Sequence, residues 1–212
     1  MKKSLSLFLI ISLFFSSFTF AQKAKKGWYS LFDGKSFAGW KINEDSPSTF
    51  SMKDGVIKVN GPRSHMFYEG AVGNHNFKNF ELKITAMTEP GSNSGIFIHT
   101  EYQKTGWPSK GYEVQVNNSQ GDWRRTGSLY GVSDVKDTLV KDNVWYTYHI
   151  IVKGKNIVIK VNDKVAVDYT EPNELPADRG TKRLSSGTFA LQGHDPKSTA
   201  YFKDIKVKIL PD

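Results

Sequence analysis

The sequence predicts an all-β protein built as a two-sheet antiparallel sandwich or jelly roll. Three observations carry this. Short segments rich in β-branched and aromatic residues recur along the chain, with glycine, proline and asparagine turns between them. No stretch shows apolar side chains at the 3.6-residue period of a helix. No unit repeats at the length of a propeller blade or a solenoid turn. Many short strands joined by tight turns bury their apolar faces by packing two sheets together.

The first element is one to set aside. Lys2 and Lys3 precede an apolar run from Leu5 to Phe15, broken only by Ser6 and Ser12, and small residues then lead to a cut after Ala21. That is the pattern of a secretory signal peptide over residues 1–21, too short for a membrane span. Residues 22–212 are then one domain, long enough for one core. An exported protein, periplasmic or extracellular, is expected. Leu31 and Phe32 before the Asp33-Gly34 turn, and Trp40 after Gly39, read as strands packed on the sandwich. "FSMKDGVIKVNG" reads as a hairpin about Asp54-Gly55. Strands follow over 80–87, 95–101 and 111–117. Residues 118–143 are too rich in glycine and charge to be regular, so a long loop is expected there. Gly154-Lys155 and Asn162-Asp163 divide Tyr146 to Tyr169 into a three-stranded meander. A short helical turn is expected over 171–175, before Pro176. Strands over 188–192 and 200–209 complete the body.

Composition narrows the chemistry. The chain has no cysteine, so it has no disulfide, thiol nucleophile or thiolate metal site. Its formal charge is +8. The lysines are scattered along strands, as on an ordinary solvated face, and nucleic acid is not an expected partner. No later stretch is apolar enough for a membrane span. Phosphate-loop and dinucleotide fingerprints are missing, as is a Gly-x-Ser-x-Gly elbow. His65, His75, His99, His149 and His194 are far apart in sequence, and spacing alone identifies no metal ligands.

Strand parity points to one surface. In "GIFIHTEY", Ile96 and Ile98 facing the core turn Phe97 and His99 outward. In "GYEVQVNN", Val114 and Val116 facing the core turn Glu113 and Gln115 outward. If the two strands are neighbours, His99, Glu113 and Gln115 share a pleated face. In "TFALQGHD", Phe189 and Leu191 facing the core place Gln192 on the opposite face, with His194 just past the strand. Trp123 and Tyr130 sit in the long loop, either to bind or to anchor it. On alternation alone a solvated sheet exterior is the commoner reading, because antiparallel sheets often have one wet side.

Six ordered stretches carry a resemblance: "FDGKSFAGW", "SNSGIFIHT", "GYEVQVNN", "TGSLYGV", "WYTYHIIVKGKNIVIKVNDKVAVDYTEP" and "GTFALQGHDPKSTAYFKDIKVK". Together, over Trp28 to Leu210, they resemble the 3-keto-disaccharide hydrolase family. The resemblance implies a concanavalin A-like jelly roll and cleavage of glycosides already oxidised to a ketone at C3. Related glucanases carry Glu-x-Asp-x-x-Glu on the strand where this chain has Glu113, Gln115 and Asn117, one carboxylate and two amides. Hydrolysis by a carboxylate pair is therefore disfavoured. A ketone at C3 acidifies the C2 proton and opens an elimination route that needs one base. The motifs carry over at Asn93-Ser94-Gly95, Glu113, Gln115, Gly131, Gln192 and His194. Glu113 or His194 is the expected base, and Gln115, Gln192 and Lys203 are the expected polar or cationic partners of the substrate. His99, Trp123 and Tyr130 complete the expected binding set. Three positions depart from the family pattern: Thr85 replaces a glutamate, while His99 and Lys203 replace arginines. No cofactor is required by these residues, and a divalent metal is left open. The expected partners are a carbohydrate substrate and an upstream oxidoreductase that makes the 3-keto sugar. The other functions compatible with the sequence are a non-catalytic carbohydrate-binding module of the same fold and a structural surface protein.

Overall fold

The computed structural model describes residues 27–177 and 180–212. The expected signal peptide lies outside them. Among the described residues thirteen strands follow in chain order: β1 (Trp28–Ser30), β2 (Trp40–Ile42), β3 (Phe50–Lys53), β4 (Val56–Asn60), β5 (Ser64–Tyr68), β6 (Phe80–Thr88), β7 (Asn93–Thr100), β8 (Tyr112–Asn117), β9 (Tyr146–Lys153), β10 (Asn156–Val161), β11 (Lys164–Thr170), β12 (Thr188–Gly193) and β13 (Thr199–Ile209). Every pairing is antiparallel.

The large sheet runs β11-β10-β9-β6-β13-β4-β3, with β1 also on β13. The small sheet runs β2-β5-β12-β7-β8. Alternate residues of each sheet meet between them. Leu82, Ile84, Tyr148, Ile150, Phe202 and Val207 of the large sheet pack on Met66, Ile96, Ile98, Val114, Val116, Phe189 and Leu191 of the small one. This is the expected two-sheet jelly-roll sandwich. The meander forms as expected, and its second turn holds Asn162 and Asp163 both at positive φ, as a two-residue hairpin turn requires.

Two features differ from the sequence expectation. β5 was not anticipated, because all five of its residues are buried and the alternation that marks a half-wet strand is missing. Residues 171–176 form no helix. Glu171 is instead a buried tie, its carboxylate accepting from the Tyr112 hydroxyl and the Leu184 N–H.

The small sheet's outer face positions the site. Phe67, Ala190 and Phe97 form a separate buried cluster there, with Tyr102 against it. The sheet thus has a second covered face, and part of it is a cleft.

Candidate functional site

β7 and β8 are neighbours, with Phe97 opposite Glu113 and Gly95 opposite Gln115. On the other side, β12 brings Gln192 opposite His65 of β5. Parity therefore gathers Glu113, Gln115, Gln192 and His65 on one floor. Above it opens a cleft of about 250 Å³ lined by Asn93, Trp107, Glu113, Gln115, Tyr130, Lys182, Gln192 and His194, among others.

Gly95 makes room at the centre. A Cβ on it would lie 2.4 Å from Glu113 Oε1, so the carboxyl of Glu113 occupies the space a side chain would take. There it accepts a hydrogen bond of 2.9 Å from Gln192 Nε2. Burial pushes Glu113 up to about 7, against the opposing effects of the Gln192 amide and the Lys182 charge. A carboxylic acid that still holds its proton near neutrality can donate it.

Other floor atoms are buried and have no partner among the described residues: both amide atoms of Gln115, Gln192 Oε1, Asn93 Oδ1 and both ring nitrogens of His65. Each buried polar group left unpaired costs about 1–3 kcal/mol. Such a concentration on one floor suits a ligand rich in hydroxyls.

His194 is oriented by its neighbour. Its Nδ1 lies 2.7 Å from Asp195 Oδ2. Burial alone would raise the Asp195 carboxyl. Hydrogen bonds from His194, Ser198 Oγ and the Lys197 N–H outweigh it and hold Asp195 below the usual carboxylate range. Ionised Asp195 accepts from Nδ1–H, which leaves Nε2 as the imidazole's basic nitrogen. Trp107 stands beside His194, ring centroids 5.5 Å apart, and edge-on to His65 at the same distance. Its loop is pinned by Gln103, whose amide donates to the Trp107 carbonyl, and by Asp45, which accepts from Gly106 N–H. Tyr130 forms the β8-side wall, its N–H donating to the Glu113 carbonyl.

Of the expected site residues, Glu113, Gln115, Gln192, His194 and Tyr130 come together in the cleft. His99 does not. A bulge inserts one extra residue of β7 against β12, and His99 sits in it at φ +54°. Its ring leaves the alternating face and packs edge-on to Phe80, bonding the Lys78 carbonyl and the Ser185 N–H. Lys203 does not reach the cleft either. It lies opposite Thr85 on the large sheet, its ammonium 4.1 Å from the Trp145 ring centroid. Two of the three departures from the family pattern thus pair with each other on the far sheet. Trp123 is exposed outside the cleft lining, with Arg124 and Lys136 over its ring. Asn117 is committed to the loop, donating to the Asp122 and Arg124 carbonyls.

Sequence reasoning left His65, Lys182 and Asp195 out of the site, and offered Trp107 only as a sugar platform of a binding module. The adjacent His194-Asp195 pair was a readable signal. His65 was hidden with β5, and Lys182 lies in irregular chain. Among the described residues no group of three or more histidines, carboxylates or cysteines is placed to hold a metal ion.

Comparison with known proteins fits this geometry. Residues 27–208 match the family described as a 3-keto-alpha-glucoside-1,2-lyase-like domain. A 3-keto-disaccharide hydrolase from Bacteroides thetaiotaomicron is 42% identical over 169 residues, which are 68% of this chain and 58% of that protein. The chain therefore spans little more than half the length of that relative. A solved Parabacteroides distasonis protein described as a candidate glycosyl hydrolase superposes with a TM-score of 0.74 at 23% identity, over 87% of this chain and 94% of its own. A carbohydrate-binding module from Bacillus subtilis superposes with a TM-score of 0.56 at 16% identity, over 79% of this chain and 94% of its own. At these identities the two structures share the fold.

Proposed function

The chain belongs to the 3-keto-alpha-glucoside-1,2-lyase-like family, and from that premise we propose that it cleaves glycosides carrying a ketone at sugar C3, by elimination across C1 and C2. The observation that carries the reading is Glu113, the single carboxyl among the described residues lining the cleft, buried so that it titrates at about 7, in the same cleft as an aspartate-oriented imidazole. Among the described residues the lining offers hydrolysis by two carboxylates no second carboxylate. Elimination needs a base for an acidified proton and an acid for a leaving oxygen.

In this reading His194 Nε2 removes the C2 proton. The electron pair passes through an enolate centred on the C3 oxygen. It returns to form the C1–C2 double bond as the bond from C1 to the glycosidic oxygen breaks. Glu113 gives its proton to that oxygen, and the leaving alcohol departs neutral. Water then adds hydroxyl to C1 and hydrogen to C2, and the sum is hydrolysis. Gln115, Gln192 and Asn93 hold sugar hydroxyls, and Trp107 and Tyr130 flank the rings. The relative's activity and the sugar-binding neighbour support a carbohydrate ligand. We also propose export, on the leader pattern of residues 1–21, and supply of substrate by a reaction that oxidises C3 of a glycoside.

The test is incubation with 3-keto-trehalose and with trehalose. Glucose release from the oxidised sugar alone is expected. Sugar binding without turnover on a panel of 3-keto glycosides would replace this reading with a binding module.

A further inference from the structure

The elimination proposed above gathers negative charge on the C3 oxygen, and a preorganised cation there would lower the barrier. The sequence had offered Lys203, which the fold puts on the other sheet. Among the described residues lining the cleft, Lys182 is the single lysine or arginine. It forms no ion pair or hydrogen bond with the described residues, and its charge already acts on the Glu113 carboxyl.

A lysine on irregular chain is ordinarily a solvated group. Lys182 differs in how its backbone is held. Before it, Thr181 Oγ1 donates to the Ser109 carbonyl at 2.7 Å, and the Thr181 carbonyl accepts from Gly111 N–H at 3.2 Å. After it, Leu184 N–H donates to Glu171 Oε2 at 2.8 Å, and Ser185 N–H donates to His99 Nδ1 at 3.2 Å. Two of the anchors, Glu171 and His99, are buried polar side chains. The strap is thereby fixed to the loop that carries Trp107 and to the end of β7.

We propose that Lys182 is a catalytic residue whose ammonium stabilises the enolate oxygen formed at C3, an inference that rests on the elimination reading. As His194 takes the C2 proton, the C2–H pair enters the C2–C3 bond and the carbonyl pair moves onto the C3 oxygen. Lys182 pairs with that oxygen electrostatically and keeps all its protons. The charge leaves when the pair returns to expel the glycosidic oxygen, which takes the Glu113 proton.

The experiment compares wild type with Lys182→Ala, Lys182→Arg and Lys203→Ala on 3-keto-trehalose. Loss of one such charge-stabilising group typically costs about 10²–10³ in kcat. Lys182→Ala should fall by about that factor with KM within threefold. Lys182→Arg should recover at least a tenth of the wild-type rate, and Lys203→Ala should match wild type. Ethylammonium added to Lys182→Ala should restore activity in a saturable way, which a merely structural role would not produce. A Lys182→Ala protein that keeps wild-type kcat, or that shows no rescue by ethylammonium or arginine, overturns this role and leaves the elimination standing. A wild type inactive on every 3-keto glycoside overturns both.

Discussion

Glu113 joins two consequences in one carboxyl. As a buried acid titrating at about 7 rather than the usual 4.5, it is charged at alkaline pH at the expense of the fold. Between those two values the folded protein binds more protons than the unfolded chain, so this group's contribution to stability falls as pH rises, by at most roughly 3 kcal/mol. Glu113→Gln should therefore melt above wild type at pH 8, with the gap gone by pH 4. The same variant should lose at least about 10²-fold in turnover, since an amide cannot supply the leaving group's proton. Equal melting at both pH values would show that the carboxyl is not held protonated by the fold. Gly95 is the second residue-scale prediction. Gly95→Ala puts a methyl 2.4 Å from Glu113 Oε1 and must displace the carboxyl from Gln192. Turnover should drop steeply, and a crystal structure of the variant should show the Glu113–Gln192 bond broken. An unmoved carboxyl would contradict this packing.

At the scale of elements, the bulge in β7 settles the role of His99. By alternation the residue should share a face with Phe97 and Glu113, but one extra residue and a positive φ turn it to the strand end. Burial holds its ring down to about 4, so across the neutral range Nδ1 keeps the lone pair that accepts the Ser185 N–H. His99→Ala removes that anchor from the strap bearing Lys182. Hydrogen exchange at the Ser185 amide should quicken by at least tenfold, while amides of β6, β9 and β13 keep their protection. A strap whose exchange is unchanged would mean that the other three ties suffice. β8 also works as an element. The 126–130 segment covers its free edge through bonds between Gln115 N–H and the Ser128 carbonyl, Gly127 N–H and the Gln115 carbonyl, and Tyr130 N–H and the Glu113 carbonyl. An edge strand that would otherwise expose its ladder is closed, and its polar face becomes a cleft wall.

For the whole molecule, burial of imidazoles sets the acid side of the stability curve. Desolvation lowers His65 to about 3 and His99 to about 4. Below the usual 6.5 the unfolded chain protonates both while the folded protein does not, so stability falls as pH drops from 6.5 toward 4. Two histidines lose more in this window than the single Glu113 gains. The melting temperature should peak between pH 6 and 7 and decline on both sides. In Glu113→Gln the alkaline decline from this group should vanish and the acid decline should remain. A flat melting temperature from pH 4 to 6.5 would show that the two imidazoles are protonated in the fold. Among the described residues no helix is long and apolar enough to cross a membrane.

The sequence by itself determined the sandwich, nearly all its strands and the face that holds Glu113, Gln115 and Gln192. It could do so because a strand's side chains alternate with period two, and tight turns such as Asn162-Asp163 write their geometry in residue type. Fully buried β5 wrote no alternation and stayed hidden, taking His65 with it. Only the tertiary structure decided that Lys203 lies a sheet away, that His99 anchors rather than binds, and that Lys182 lines the cleft. Those outcomes depend on which strands become neighbours, on one bulged residue and on where irregular chain is tied down. None of these is local, because each is fixed by contacts between segments far apart in sequence.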